Sequence, residues 1–574
     1  MLNPRQLIED SLEKWLKSRD ISVEFEVSLS QNLQFGDFSS NISLIASKKI
    51  ENSNPRQLAE EIISSLQQNT EIQDIFEKIE PAGPGFINFY LKEDYLLNML
   101  TEVAQDGTTF GTSSNVNPPT SHQEIASQGG QKTVVEFGDP NPFKEIHIGH
   151  LRNFCIGESF SKLLESQGNE VIRANYQGDV GMHVAKCLWG IMQRIADSEE
   201  LTVKDLAEGY ILGAKMFEED ENAKKEITEL NKKVYNDDPE IKPLWEAGRK
   251  VSLDHFEELY KRAGIHYDKY YFESSTAKKG KEIVLSHIDD GVFEKSDGAV
   301  VYRGEKDGLH TRVFLTSQDY ATYEGKDLAL AILKNEDIAY DQSVVLTGNE
   351  QLEYFHVMLA ALKKISPDLA SKTKHLTFGH VRLKEGKMSS RTGDVITASW
   401  LLDEAVSRVK TAFTDMDEDT ANKVGIGSVK YSMLKFSIPA DIHFSFEESI
   451  TLEGNSGPYL QYAYVRTQSV LSKSENQEAR IKNEEVRNLE KEESELLRFL
   501  TQYPYHVTMA AQDFAPNLLC NYLFELSQKY NLFYQKCKII GGEKETFRLF
   551  LTKAVGNVLK NGLTILGIET VEKM

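Results

Sequence analysis

KTVVEFG at residues 132–138 is a β-branched run, and it is followed by the loop DPNPFKEIHIG, a helical pattern starting at HLRNF, and the strand-like VIRANY at 171–176. Strand, loop, helix, strand is the opening of a doubly wound parallel sheet, because parallel strands need a long crossover and a helix is the usual one. Leu151, Phe154, Phe160, Leu163 and Leu164 fall mostly on one face of that helix. Further strand-like segments, AVVYRG, RVFLTS and QSVVLTG, return later with helical patterns between them.

A chain of 574 residues is long for one core and implies about three domains. Residues 1–106 read as an α+β domain ending in a short aromatic strand. Residues 107–131, rich in Gly, Ser, Thr, Asn and Pro, read as a linker. Residues 132–395 form the Rossmann-like α/β domain, interrupted by a charged helical insertion at about 197–262. From 396 to 574 the pattern is helical, and Leu518, Tyr522, Leu526, Tyr530 and Phe533 trace one apolar face. No stretch reaches the ~20 apolar residues of a membrane span, so a cytoplasmic protein is expected. Cys155, Cys187, Cys520 and Cys537 lie far apart, which indicates buried free thiols rather than a zinc knuckle or disulfide framework. The net charge of −23 argues against indiscriminate coating of nucleic acid and leaves room for specific binding through basic patches.

The loop between the first strand and its helix is where such sheets bind nucleotides, since helix N–H groups and the dipole favour phosphate there. Gly149 would let backbone approach a flat base. His147 and His150 could donate hydrogen bonds to phosphate oxygens as charge moves at phosphorus. Four residues alone could equally cap a helix or bind a metal. A second stretch, GKMSSRTGD at 386–394, follows the strand-like HLTFGHVRL, and its Lys387, Ser389 and Arg391 could serve a triphosphate.

H-I-G-H and K-M-S-S-R in this order resemble the paired signatures of class I aminoacyl-tRNA synthetases, and within that class the chain resembles the arginyl-tRNA synthetases over nearly its whole length. The longest matching stretches are VVEFGDPNPFKEIHIGHLRN, GNSGPYLQYAYVR at 454–466, NYLFELSQKYNLFYQKCKII and KNGLTILGIETVEKM, with GDFSSNISLIASKKI and AGPGFINF in the N-terminal domain. The resemblance implies ATP-dependent activation of L-arginine and its transfer to tRNA(Arg), with a helical anticodon-binding domain at the C-terminus, in a monomer.

By that resemblance, His147, Gly149, His150, Lys387 and Ser389 would bind ATP, with Lys144 and Arg391 joining them in catalysis. Glu273, Tyr323 and Asp327 would hold the guanidinium, whose planar fork of donors suits carboxylates and a flat neighbour. Tyr323 and Asp327, four apart, share a helical face. Asn141 and His147 would hold the amino and carboxyl end, with Gln351 or Glu350 assisting and Glu136 and Asp139 near the pocket. Phe86 and Asn88 match positions that face the tRNA elbow, and Gln461, Tyr462 and Arg466 positions near the anticodon stem. Mg2+ is expected with the nucleotide, and no dedicated metal cage is visible. Two positions depart from the family pattern. Asp139 stands where a serine is usual, so the added carboxylate would either tighten cation binding or accept a local N–H. Ser390 stands where the second signature has its lysine, and Lys144, with Lys387 and Arg391, would compensate.

Three rivals fit part of the pattern. A synthetase for glutamine, glutamate or cysteine is opposed by the acidic pocket. A nucleotidylyltransferase is opposed by the flanking domains. A tRNA-binding paralogue without catalysis is opposed by the retention of His147, Gly149, His150 and Lys387.

Overall fold

The computed structural model describes residues 3–30, 33–51, 53–105, 107, 110–112, 130–194, 200–384, 396–474, 481 and 488–574. Its N-terminal sheet contains β1 (Val27–Leu29), β2 (Phe38–Ser40), β3 (Phe76–Ala82) and β4 (Phe86–Leu91), antiparallel in the order β1-β2-β4-β3. Helices Pro4–Lys17 and Pro55–Leu66 cover one face of it. Both begin with an Asn N-cap followed by Pro, so an orphan amide is either bonded or absent at each start.

The central sheet is fully parallel. Its strands are β5 (Lys132–Glu136), β6 (Glu170–Gln177), β7 (Lys269–Phe272), β11 (Gln342–Gly348) and β12 (Thr373–Phe378), in the order β12-β11-β5-β6-β7. From β5 the chain runs outward through β6 and β7, then returns to the other side of β5. A crevice therefore opens at the carboxyl ends of β5, β6 and β11, where neighbouring connections leave in opposite directions. Helices Val203–Glu219, Glu221–Tyr235 and Lys242–Arg262 form the insertion between β6 and β7. A small antiparallel sheet of β8 (Glu294–Ser296), β9 (Ala299–Tyr302) and β10 (Arg312–Leu315) precedes β11.

The helix Ile148–Ser166 departs from the expectation of a one-sided apolar face. Arg152, Glu158, Ser159 and Ser161 are buried along with its leucines and phenylalanines, because the sheet lies on one side and C-terminal helices on the other. The helical pattern after 396 also conceals β14 (Ile442–Phe444), which pairs in parallel with β13 (Val381–Leu383). Three residues are too short to leave a period in the sequence.

The C-terminal bundle comprises Gly457–Leu471, Lys491–Leu500, Tyr503–Gln512, Pro516–Lys536 and Glu545–Ile565. Tyr522, Leu526, Tyr530 and Phe533 are buried as their spacing requires, while Leu518 is only half-buried and Leu519 takes the core position. All four cysteines are free and buried. No described helix is long and apolar enough to cross a membrane.

Candidate active site

His147 is the N-cap of the helix that follows β5. Its Nδ1 accepts from the N–H of Gly149 at 3.1 Å and of His150 at 3.4 Å, while its own N–H donates to His150 Nδ1 at 3.2 Å. The two rings stack with centroids 3.8 Å apart. Burial and the nearby Lys144 charge lower the pKa of His147, and burial, His147 and Lys144 hold His150 well below the usual range. Both imidazoles are therefore neutral at pH 7. Because each Nδ1 is spent as an acceptor, the single ring proton sits on Nε2, and each ring becomes a fixed donor at a helix N-terminus. Capping and phosphate donation, alternatives in the sequence, are compatible in this geometry. A Cβ at Gly149 would lie 3.0 Å from the His147 ring, so a larger residue there would press on the stacked imidazole as well as on any approaching base.

The same loop is stitched to the chain beyond the second signature. Ile148 N–H donates to Ile396 O at 2.9 Å and Ala398 N–H to Ile146 O at 2.8 Å. Lys387, Ser389, Ser390 and Arg391 lie outside the described residues. Their flanks, Leu383 in β13 and Ile396, are both fixed near the first signature helix. Arg152 accounts for part of this. Its buried guanidinium donates to the carbonyls of Gly379 at 2.5 Å, Ala440 at 2.9 Å and Ile438 at 3.0 Å.

Beside the imidazoles lies an acid-rich pocket. Glu136, at the carboxyl end of β5, is buried against Lys334, which also donates to Ser343 at 3.1 Å. Glu273 opens the helix Glu273–Ser286 and pairs with Lys326 at 2.7 Å. That helix start is fixed by Asp179, which accepts from Ser274 N–H and Oγ, both at 2.8 Å. Asp327, on helix Tyr323–Ile338, accepts from Tyr354 O–H at 2.9 Å, and the same hydroxyl lies 3.4 Å from Gln351 Oε1. Asn141 reaches the same place: a Cβ on Gly178, just past β6, would sit 2.2 Å from Asn141 Oδ1 and 3.4 Å from Glu273 Cδ. Tyr323 stays at the lip, 64% exposed, with Lys326 Nζ 5.2 Å from its ring centroid.

Asp139 has a left-handed φ of 45° and its Oδ1 accepts from Tyr176 N–H at 2.9 Å, so its carboxyl group ties the loop to β6. Burial, and then the Glu136 charge, push its pKa well up. The same two causes raise Asp327 to about 8, and burial raises Glu273 against the opposing pull of Lys326. Four carboxyl groups thus face two ammonium groups in low dielectric, where a further cation would be attracted.

The RNA-facing candidates divide. Phe86 is exposed on β4, whereas Asn88 is buried and accepts from Ser39 Oγ at 2.8 Å. Gln461 is fully buried, donating to the Glu569 carbonyl at 2.7 Å and bracing the C-terminal tail. Both side chains are turned to their own fold: helical phase places Gln461 inside, whereas alternation puts Asn88 on the face of Phe86 and its burial comes from tertiary packing. Tyr462 and Arg466 are half-buried. The Arg466 guanidinium lies 4.8 Å from the Tyr462 ring and 5.0 Å from that of Tyr534, donating also to Asn531 at 2.6 Å. Lys326, Lys334, Tyr354 and Gly178 escaped the sequence reading. Lys334 was the most accessible of them, seven residues after Asp327 on the same helical face.

The chain matches three sequence families: the catalytic domain of class I tRNA synthetases (R) over residues 116–446, the arginyl tRNA synthetase N-terminal domain over 3–91, and the DALR anticodon-binding domain over 460–574. It is 32% identical to the arginine–tRNA ligase of Fusobacterium nucleatum, covering 96% of this chain and 95% of the relative. The arginine–tRNA ligase of Saccharophagus degradans is 31% identical over the whole of both chains. Among solved structures, Thermus thermophilus arginyl-tRNA synthetase superposes with a TM-score of 0.80 at 22% identity, covering 99% of this chain and 100% of that one. Half the chain in one catalytic family, with a full-length relative above 30% identity, is sufficient: the chain belongs to the arginyl-tRNA synthetases, the class I ligases that use ATP to attach arginine to tRNA.

Proposed function

We propose that the pocket of Glu273, Asp327, Asn141 and Gln351, with Tyr323 at its lip, holds L-arginine, and that the imidazoles of His147 and His150 bind the ATP phosphates beside it. The observation that carries this reading is the excess of buried carboxyl groups over ammonium groups next to two neutral Nε2–H donors. A guanidinium supplies the missing positive charge in a form that two carboxylates can grip. Glu136 adds to the negative field while bonded to Lys334, whereas Asp139, whose ionisation burial and Glu136 oppose, is bonded to the Tyr176 amide.

The arginine carboxylate attacks the α-phosphorus, the bond to pyrophosphate breaks, and arginyl-adenylate forms. A terminal ribose hydroxyl of tRNA(Arg) then attacks the activated carbonyl and AMP leaves. The Nε2–H groups would stabilise charge on the phosphate oxygens without adding a proton that must later be removed. Lys144 is a described cation whose charge bears on both histidines, and its own pKa is lowered by burial. We assign it, with Lys387 and Arg391, the pyrophosphate charge that the lysine replaced by Ser390 would meet. Lys144→Ala should slow adenylate formation about 100-fold with arginine and tRNA binding retained, and an unchanged pyrophosphate-exchange rate would refute the assignment.

Mg2+ would enter as the nucleotide's own counter-ion. The one cluster of metal-ligand type among the described residues, Glu490, Glu492 and Cys537, lies in the C-terminal bundle, where Glu490 pairs with Arg548. Phe86, Tyr462 and Arg466 are proposed to face tRNA, by stacking and by charge. A monomer working in the cytoplasm is proposed on the family resemblance alone. The direct test offers labelled arginine, glutamine, glutamate and cysteine in parallel with ATP and bacterial tRNA. Charging by arginine alone is expected, and charging by none despite tRNA binding would make the chain a binding protein.

A further inference from the structure

Asp37 is a buried carboxylate in the N-terminal domain whose partner belongs to the other end of the chain. Arg498, on helix Lys491–Leu500, reaches its Oδ1 at 2.7 Å and its Oδ2 at 2.6 Å through one guanidinium nitrogen. The side chains are 7% and 17% exposed, so the pair is largely withdrawn from water. Asp37 is in turn part of β4's frame. Its Oδ2 accepts from Leu91 N–H at 2.8 Å and its own N–H donates to Phe89 O at 2.7 Å. Gly36 makes this possible, with a φ of 85° and no room for a Cβ, which would sit 2.5 Å from the Phe89 carbonyl oxygen. The strand that carries Phe86 is therefore wired through one carboxylate to the helical bundle.

Other contacts run along the same seam. Helix Glu93–Gln105 packs on helix Glu545–Ile565, and Asn557 donates to Val103 O at 2.8 Å. Asn561 donates to Gly107 O. The Arg5 guanidinium lies 3.9 Å from the centroid of the Tyr505 ring, and Phe110 stacks on Tyr503. The first residues of the expected linker thus dock on the bundle before the chain enters the central sheet.

We infer that Asp37 and Arg498 are positioning residues for tRNA: they fix the spacing between the Phe86 strand and the Tyr462–Arg466 face, so that both outer domains meet one RNA as a single rigid surface. This rests on the reading that Phe86 and Arg466 face RNA. Removing one partner leaves the other charge buried and alone, which is far more disruptive than losing an exposed pair.

The test uses the full-length enzyme and steady-state charging of tRNA(Arg), with amide hydrogen exchange at Leu91 as an independent report on docking. Arg498→Met should raise the KM for tRNA about tenfold, leave kcat at saturating tRNA and the KM for arginine within twofold, and accelerate Leu91 exchange. Arg498→Lys, which keeps the charge but not the guanidinium, should fall between, and it serves if the methionine variant does not fold. Accelerated exchange with an unchanged tRNA KM would overturn the inference, as would equal losses in kcat and arginine binding. Phe86→Ala separates the two claims. If it weakens tRNA binding while both Arg498 variants are silent, the positioning role falls and the RNA-facing reading stands. If all are silent, both fall.

Discussion

His147→Asn is expected to lower the rate of arginine-dependent pyrophosphate exchange by about 10²–10³, the cost of removing one preorganised donor to developing charge, while leaving stability nearly unchanged. The two effects separate because His147 does two things with different atoms. Its Nδ1 caps the helix, a role asparagine performs well. Its Nε2–H, which asparagine cannot place at the same reach, is the proposed phosphate donor. His147→Ala removes both and should add about 1 kcal/mol of destabilisation to the same catalytic loss. Exchange kinetics at saturating arginine and tRNA, with thermal unfolding of each variant, give the comparison. Should the asparagine variant retain full activity, His147 is a helix cap only, and donation must come from His150.

Much of this arrangement was legible in the sequence, and the parts that were not have a common physical cause. β5, its loop and its helix were clear because strand period, helix period and the nucleotide-binding loop all agree over consecutive residues. Tyr323 and Asp327 could be placed on one helix by spacing alone. Their different fates, one at the lip and one inside, depend on what β11 and the helix Leu352–Ile365 put beside them. The lysines that partner Glu136 and Glu273 approach through tertiary packing, with Lys334 198 residues away from Glu136 and Lys326 53 residues away from Glu273. No local pattern reports such a pairing. Asn88 and Gln461 present the opposite case. Each sits in a stretch that resembles the family's RNA-facing segments, yet each has its side chain turned to its own fold. Resemblance points to a segment, and burial shows which of its side chains are turned to the protein's own fold.

Asp327→Asn should raise the KM for arginine on the order of 100-fold, about 3 kcal/mol, because a guanidinium loses one charged acceptor in a desolvated site. It should do so without cost to stability, and the reason lies in the sign of the pKa shift. In the free protein burial and the charge of Glu136 oppose ionisation and push the Asp327 carboxyl up from its usual 3.8 to about 8. The folded state therefore holds that proton more tightly than the unfolded chain does. Stability is lost as pH rises from about 4 through about 8. Asparagine is isosteric, can still accept from Tyr354, and has no charge to bury, so the variant should be at least as stable as the parent at pH 8. The ligand dependence runs the other way. Arginine binds the ionised pocket, so the parent's affinity should climb as pH rises toward 8 and level off above it. The variant's slope should be shallower, with a remainder from Asp139 and Glu273, whose pKa values are also raised. Calorimetric titration with arginine between pH 6 and 9, beside thermal melts, measures both. An unchanged arginine affinity, or a variant less stable than the parent at pH 8, would mean that Asp327 is a structural acceptor for Tyr354 rather than the anchor for the cation.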